Sequence, residues 1–214
     1  MEKEASYSMS KGIFEMAGRP LRSRREAILL LLYTIRMFDI EEWIAENKAA
    51  KVVISINKMN RIFYVLEDKI FSMQFPFSVE MENGKITRIY DTGTGLDINA
   101  VLVSMLIGIF EKINTNGFSF DGFFDEIISC ADNLPDAGME RIWGIVKFIS
   151  SYDLGYIRYD YDKKHKKGLL HPLNHLDICL DTAATYKIGL EKSLNYEVFK
   201  NILDTTTDCF FLNV

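Results

Sequence analysis

The hydrophobic period of the chain changes after residue 50, and that change limits the fold more than any other feature. Upstream, Arg22 to about Lys48 consists of good helix formers, and Ser23 followed by Glu26 makes a capping-box pattern. Apolar residues cover most of the circumference through Tyr33 and then narrow to Ile35, Phe38, Ile40, Trp43 and Ile44, which predicts a long first helix buried on several sides. Its apolar run, Ala27 to Ile35, is about half the ~20 residues a membrane span needs, and Arg36 and Asp39 follow at once. Downstream, Val52, Ile54 and Ile56 alternate with Val53, Ser55 and Asn57. Ile62 to Leu66 and Ile70 to Phe77 are rich in β-branched and aromatic types. These segments predict strands. Asn83-Gly84 predicts a hairpin, because both central residues of a type I′ turn need positive φ. Pro76 removes a ladder donor and is expected at an edge or bulge.

After the loop Asp91 to Gly95 (DTGTG), helices are predicted from about Asp97 to Asn114, from Asp121 to Cys130 and, past a turn at Asn133 to Gly138, from Met139 to Ser151. Strands return at Tyr156 to Asp162, Leu173 to Asp181 and Thr185 to Leu190, then a helix at Asn195 to Leu203 and a terminal strand at Cys209 to Leu212. The order predicts one α+β domain over residues 1–214, with residues 1–21 a mobile N-terminal segment. Antiparallel sheet packs against a helical layer, opened by the long helix and closed by a three-stranded meander plus helix.

Composition excludes several functions. At 13% aromatic and 48% hydrophobic the chain can build a core, and a net charge of −5 argues against a dedicated duplex-binding protein, whose nonspecific affinity comes from neutralising phosphates. Cys130, Cys179 and Cys209 are odd in number and lack a C-x-x-C pair, so neither a disulfide framework nor a zinc knuckle is expected. The absence of a signal-peptide pattern and these lone thiols predict a cytoplasmic location with no membrane anchor.

His165, His171 and His175 fall within eleven residues. Alternation places His175, Asp177, Cys179 and Asp181 on one strand face, opposite Leu176, Ile178 and Leu180. In the preceding strand Arg158, Asp160 and Asp162 oppose Ile157, Tyr159 and Tyr161, so pairing would bring Arg158 and Asp160 to His175 and Asp177. Three chemistries suit such a set. His171, His175 and Asp160 or Asp177 would bind a divalent transition metal, provided that the chain bends near Pro172, since extended residues four apart lie about 13 Å apart. A histidine held by an aspartate would serve as general acid/base in a small nuclease, with Arg158 assisting. Lys163, Lys164, His165, Lys166 and Lys167, flanked by Tyr159 and Tyr161, would contact phosphate and stack on bases, or bind a protein partner. The alternative for each is structural: a half-exposed sheet carries polar residues on its outer face, and a lysine-rich hairpin tip is a solvated turn. Asp91 reads as a turn residue, since DTGTG has neither a second D-T-G triplet nor a Walker lysine.

The stretch from Tyr156 to Leu190 resembles the tail of an uncharacterised prokaryotic domain-of-unknown-function family with an R-x-D-Y-D strand, a variable loop and an H-P-x-x-H-L motif. The matching positions are Arg158, Asp160, Tyr161, Asp162, His171, Pro172, His175 and Leu176. The resemblance covers about the last fifty residues and carries no established activity. It implies a place in bacterial phage-defence or mobile-element modules, beside a larger ATPase or nuclease subunit. The reading is therefore an accessory protein that binds a protein partner or nucleic acid through the 158–177 surface, with a small nuclease or a purely structural subunit as alternatives.

Overall fold

The computed structural model describes residues 3–38, 50–112, 127–128, 138–180 and 186–211. In chain order the elements are β1 (Lys3–Ser8), α1 (Lys11–Gly18), α2 (Arg24–Phe38), β2 (Lys51–Ile56), β3 (Arg61–Val65), β4 (Lys69–Gln74), β5 (Ser78–Glu82), β6 (Lys85–Tyr90), α3 (Ala100–Lys112), α4 (Met139–Ser151), β7 (Ile157–Tyr161), β8 (Asn174–Ile178), β9 (Tyr186–Leu190) and α5 (Tyr196–Leu203). The fold is α+β with antiparallel sheets. No helix among the described residues is long and apolar enough to cross a membrane. Within residues 1–214, read above as one α+β domain, the chain gathers into two compact units. One comprises Met1–Arg22, Ala45–Phe75 and Asp153–Val214; the other comprises Ser23–Ile44 and Pro76–Tyr152.

The first unit is built on a seven-stranded sheet of order β1-β2-β3-β4-β7-β8-β9. Its C-terminal part is the expected meander, β7-β8-β9, followed by helix α5, which the side chain of Asn195 caps through Val198 N at 2.9 Å. One face of the sheet carries Val53, Phe63, Ile70, Ile157, Tyr159 and Leu176, and the α5 residues Tyr196 and Phe199 close over it, both edge-on to Phe63. The opposite face is apolar over β2 to β4, where Val52, Ile54, Ile62, Tyr64, Phe71 and Met73 are all at most 1% exposed, and charged over β7 and β8.

The second unit contains α2, the β5-β6 hairpin, α3 and α4. Ser23 Oγ accepts from Glu26 N at 3.2 Å, so α2 starts at the capping pattern, and Asn83 and Gly84 turn the hairpin with φ of 51° and 73°. Nine of α2's fifteen residues are buried, in keeping with its nearly all-round apolar circumference. Asp91 is the turn residue expected of it: its Oδ2 accepts from Thr94 N at 2.7 Å and from Thr94 Oγ1 at 2.6 Å.

Three expectations are corrected. Residues 3–18 are an edge strand and a capped helix rather than a mobile segment, because β1 pairs along its whole length with β2 and Ser10 caps α1. Residues 209–211 form no strand; Phe210 and Phe211 are exposed there. Pro76 lies in the connection between β4 and β5, outside both ladders, where its missing N–H costs no bond. The continuation of the first helix beyond Phe38, most of the predicted helix 121–130, the turn at 133–137, Cys130 and Asp181 lie outside the described residues.

Candidate functional site

Strands β7 and β8 pair as their alternation requires. Arg158 stands opposite Asp177, Asp160 opposite His175, and Tyr159 opposite Leu176. The apolar row fixes this register: a slip of one residue would turn Arg158 and Asp160 into the core under α5 and bring Tyr159 out. The four polar side chains therefore meet as a consequence of the hydrophobic pattern.

Arg158 ties the cluster together. Its Nε donates to Asp160 Oδ2 at 2.6 Å and its Nη2 donates to Asp177 Oδ2. Burial pulls the guanidinium pKa down, but Tyr156, Asp160 and Asp177 around it more than reverse this and hold it above its ordinary value. His175 Nδ1 lies 3.0 Å from the Pro172 carbonyl; a carbonyl only accepts, so Nδ1 carries the proton it donates there. Nε2 then faces Asp160 Oδ2 at 3.6 Å, too long for a hydrogen bond. This polar face is not half-exposed, as an ordinary outer sheet face would be: His175 is 1% and Asp177 8% exposed. Taking such charges out of water costs several kcal/mol per ion unless they are paired, so the arginine is the partner on which both carboxylates depend.

Two neighbours complete the environment. Lys69, on β4 and paired with Asp160 on β7, donates through Nζ to the carbonyls of Ala17, Gly18 and Arg19 at the end of α1, at 2.8–3.3 Å. Burial lowers its pKa, and Asp160 opposes the shift. Tyr156 is pushed up to about 12 by burial, against the pull of Arg158.

His171 joins this group because the chain bends at Pro172. The expectation of two imidazoles about 13 Å apart on an extended chain does not hold. The ring centroids of His171 and His175 are 4.7 Å apart, since β8 begins only at Asn174 and His171 pairs back onto Lys167. Gly189, opposite His175 on β9, makes room for the bend; a Cβ there would lie 2.9 Å from Pro172 Cγ. Asp162 holds the outer histidines, at 2.9 Å from His165 Nδ1 and 3.9 Å from His171 Nε2. Partial burial raises its carboxyl pKa, but the His165 N–H groups and the charge of the two histidines outweigh this and hold it below the usual range.

Beyond the bend, Lys163, Lys164, His165, Lys166 and Lys167 are exposed, and so are Leu169 at 99% and Leu170 at 78%. The two leucines border an open groove of about 570 Å³ with Pro172, Lys187, Gly189, Leu190 and Glu191. Tyr159 must be removed from the base-stacking set: it is 3% exposed in the α5 core, its hydroxyl donating to Asn174 Oδ1 at 2.7 Å. Tyr161 is partly buried against the same core and has Lys163 Nζ over its ring at 5.0 Å. Alternation already placed both tyrosines on the apolar face. Sequence reasoning missed Lys69, Tyr156, Gly189 and the leucine pair. The Gly-Leu-Leu run at 168–170, apolar where a lysine-rich turn should be polar, was the available signal.

No family model matches the chain, and neither a curated protein nor a solved structure is similar to it.

Proposed function

We propose that this is an accessory protein that docks on a larger protein subunit through the β7–β8 connection, with Leu169 and Leu170 as apolar anchors and the surrounding lysines as a rim that selects an acidic surface. The observation that carries the reading is the exposure of two adjacent leucines in the turn that directly follows the exposed Lys163, Lys164, Lys166 and Lys167. Isolated exposed leucines are ordinary, but a pair bordering a groove lined by Pro172 and Leu190 is a contiguous apolar patch with a charged border, the pattern of an interface core and rim. The base of the loop is rigid, since β7, β8 and the Arg158 cluster hold it, and a rigid base lowers the ordering cost of association. A protein rather than a nucleic acid is favoured because Tyr159 is buried and Tyr161 is covered, which removes the stacking platform that single strands use. The resemblance of the last fifty residues to an uncharacterised prokaryotic family, with the defence or mobile-element setting it implies, suggests an ATPase or nuclease as the larger subunit. The nuclease alternative, with His171 and His175 acting with Asp160 or Asp177, is disfavoured by His175 at 1% exposure, which keeps a phosphodiester from its ring.

The test is purification of the chain from its native cells beside a Leu169→Asp/Leu170→Asp variant and a variant with Lys163, Lys164, Lys166 and Lys167 changed to Glu. A stoichiometric protein retained by the wild type, lost with the leucine variant and weakened at least tenfold and made less salt-sensitive by the lysine variant is expected. Equal retention by the folded leucine variant overturns the reading. So does a wild type that binds RNA oligonucleotides and no protein.

A further inference from the structure

We infer that Asp160, His175 and Asp177 form a binding site for one divalent transition-metal ion, a structural site that clamps β7 to β8. One ligand atom from each of the three lies within 4.8 Å of the others. The proposal stands independently of the docking surface.

Four observations at this cluster point to a cation. First, the separation of His175 Nε2 and Asp160 Oδ2, 3.6 Å, is too long for a hydrogen bond yet is the distance at which two donors share an ion. Ligand bonds of about 2.0–2.2 Å hold neighbouring donors about 3–4 Å apart, and the widest pair closes on the ion by about an ångström. Second, Asp177 Oδ1 is buried without a hydrogen-bond partner on a residue only 8% exposed. A carboxylate oxygen in that position lacks compensation for its lost hydration: Lys187, its cross-strand neighbour on β9, is exposed, and Lys69, opposite Asp160 on β4, spends its donors on the end of α1. Third, the tautomer is the one a metal needs. With Nδ1–H on the Pro172 carbonyl, His175 presents the lone pair of Nε2 to the cluster, and a histidine ligand characteristically donates its other N–H to a carbonyl or carboxylate. Fourth, Arg158 donates to Oδ2 of both aspartates and orients the two carboxylates while leaving Asp177 Oδ1 open; Asp160 Oδ2, which has a second lone pair, would be shared between the guanidinium and the ion.

The donor set of one imidazole and two carboxylates suits Zn²⁺, Mn²⁺ or Fe²⁺, which accept mixed nitrogen and oxygen ligands, better than Mg²⁺ or Ca²⁺, which take oxygen alone. His171, whose Nδ1 is likewise buried without a partner and whose ring centroid lies 4.7 Å from that of His175, offers a further imidazole beside the cluster. The site differs from the H-x-x-x-H pair that the histidine spacing suggests: the ligands come from cross-strand register, and His175 alone of the pair belongs to the three-residue group.

The experiment uses the full chain stripped with EDTA and titrated with Zn²⁺ against a competing chelator. One ion per chain is expected, with affinity lowered at least tenfold by Asp177→Asn, which keeps an oxygen for Arg158, and unchanged by His165→Ala, which removes the exposed imidazole. Visible absorption of the Co²⁺-loaded His165→Ala chain supplies a readout that needs no substitution in the cluster, and bands of a nitrogen- and oxygen-ligated ion are expected. Absence of stoichiometric binding, equal affinity in folded Asp177→Asn, loss of binding in His165→Ala, or a Co²⁺ spectrum of the hydrated ion would each overturn the site.

Discussion

One face of the seven-stranded sheet is solved in two ways. Over β2 to β4 it is a dry apolar surface in which Tyr64 stacks on Phe71 with centroids 4.6 Å apart; over β7 and β8 it is an ion cluster of Arg158, Asp160, His175 and Asp177. Both halves are largely out of water, Arg158 and Asp160 being partly exposed, yet their errors have different consequences. A missing methyl group in the apolar half leaves a small void, with a graded loss. A missing partner in the charged half leaves an unpaired charge out of water, and the loss is abrupt.

The sharpest way to break this comparison is Arg158→Met, which keeps the length and apolar stem of the side chain and removes the guanidinium. It should destabilise the EDTA-stripped chain by about 3–5 kcal/mol in urea unfolding, because without a metal ion Asp160 and Asp177 lose their common partner. If it costs less than about 1 kcal/mol, the carboxylates are satisfied by something else and the two halves do not differ as argued. Surface arginines such as Arg88, which pairs with Glu80 and Asp97 at the outside of the β5-β6 hairpin, lose far less when truncated.

Tyr156 marks the border between the halves, its ring 5.8 Å from that of Phe71 and its hydroxyl beside Arg158. Its pKa is raised by burial from 10 to about 12, so the folded chain keeps a proton that the unfolded chain releases. The neutral phenol therefore contributes fully below pH 10, and stability falls as pH rises from 10 to about 12, by about 2–3 kcal/mol in all. Tyr156→Phe should lack this component. Urea midpoints of the two proteins at pH 9 and pH 11.5 check it, and equal alkaline losses would mean that the border hydroxyl is hydrated like those on the surface.

The two halves were also unequally legible. The apolar half follows from residue type, since Val52, Ile54, Ile62 and Phe71 announce buried strands wherever they pair. In the charged half, alternation was enough to bring Arg158 and Asp160 to Asp177 and His175, because period-2 geometry is independent of what covers the sheet. What it could not supply was burial: the same polar pattern describes an exposed outer face, and only the packing around it distinguishes a solvated row from a desolvated one. Nor could it supply the bend at Pro172, which depends on a glycine seventeen residues away in sequence at position 189, nor β1, whose Ala5 alone among its described residues is buried while its neighbours read as polar.

The smallest expected effect calibrates the apolar half. Ile62 is fully buried in β3, paired with Ile54 on one side and Met73 on the other. Ile62→Val removes one methylene, keeps the β-branch that suits a strand and leaves every hydrogen bond of the ladder in place. The loss should be about 0.5–1.5 kcal/mol, with an unchanged denaturant slope. The ratio to Arg158→Met is what matters: several-fold if one half is held by graded packing and the other by a single cation. Equal losses would mean that Arg158 acts through the apolar contacts of its stem, and the ion cluster would then be an incident of the register rather than what holds the strands together.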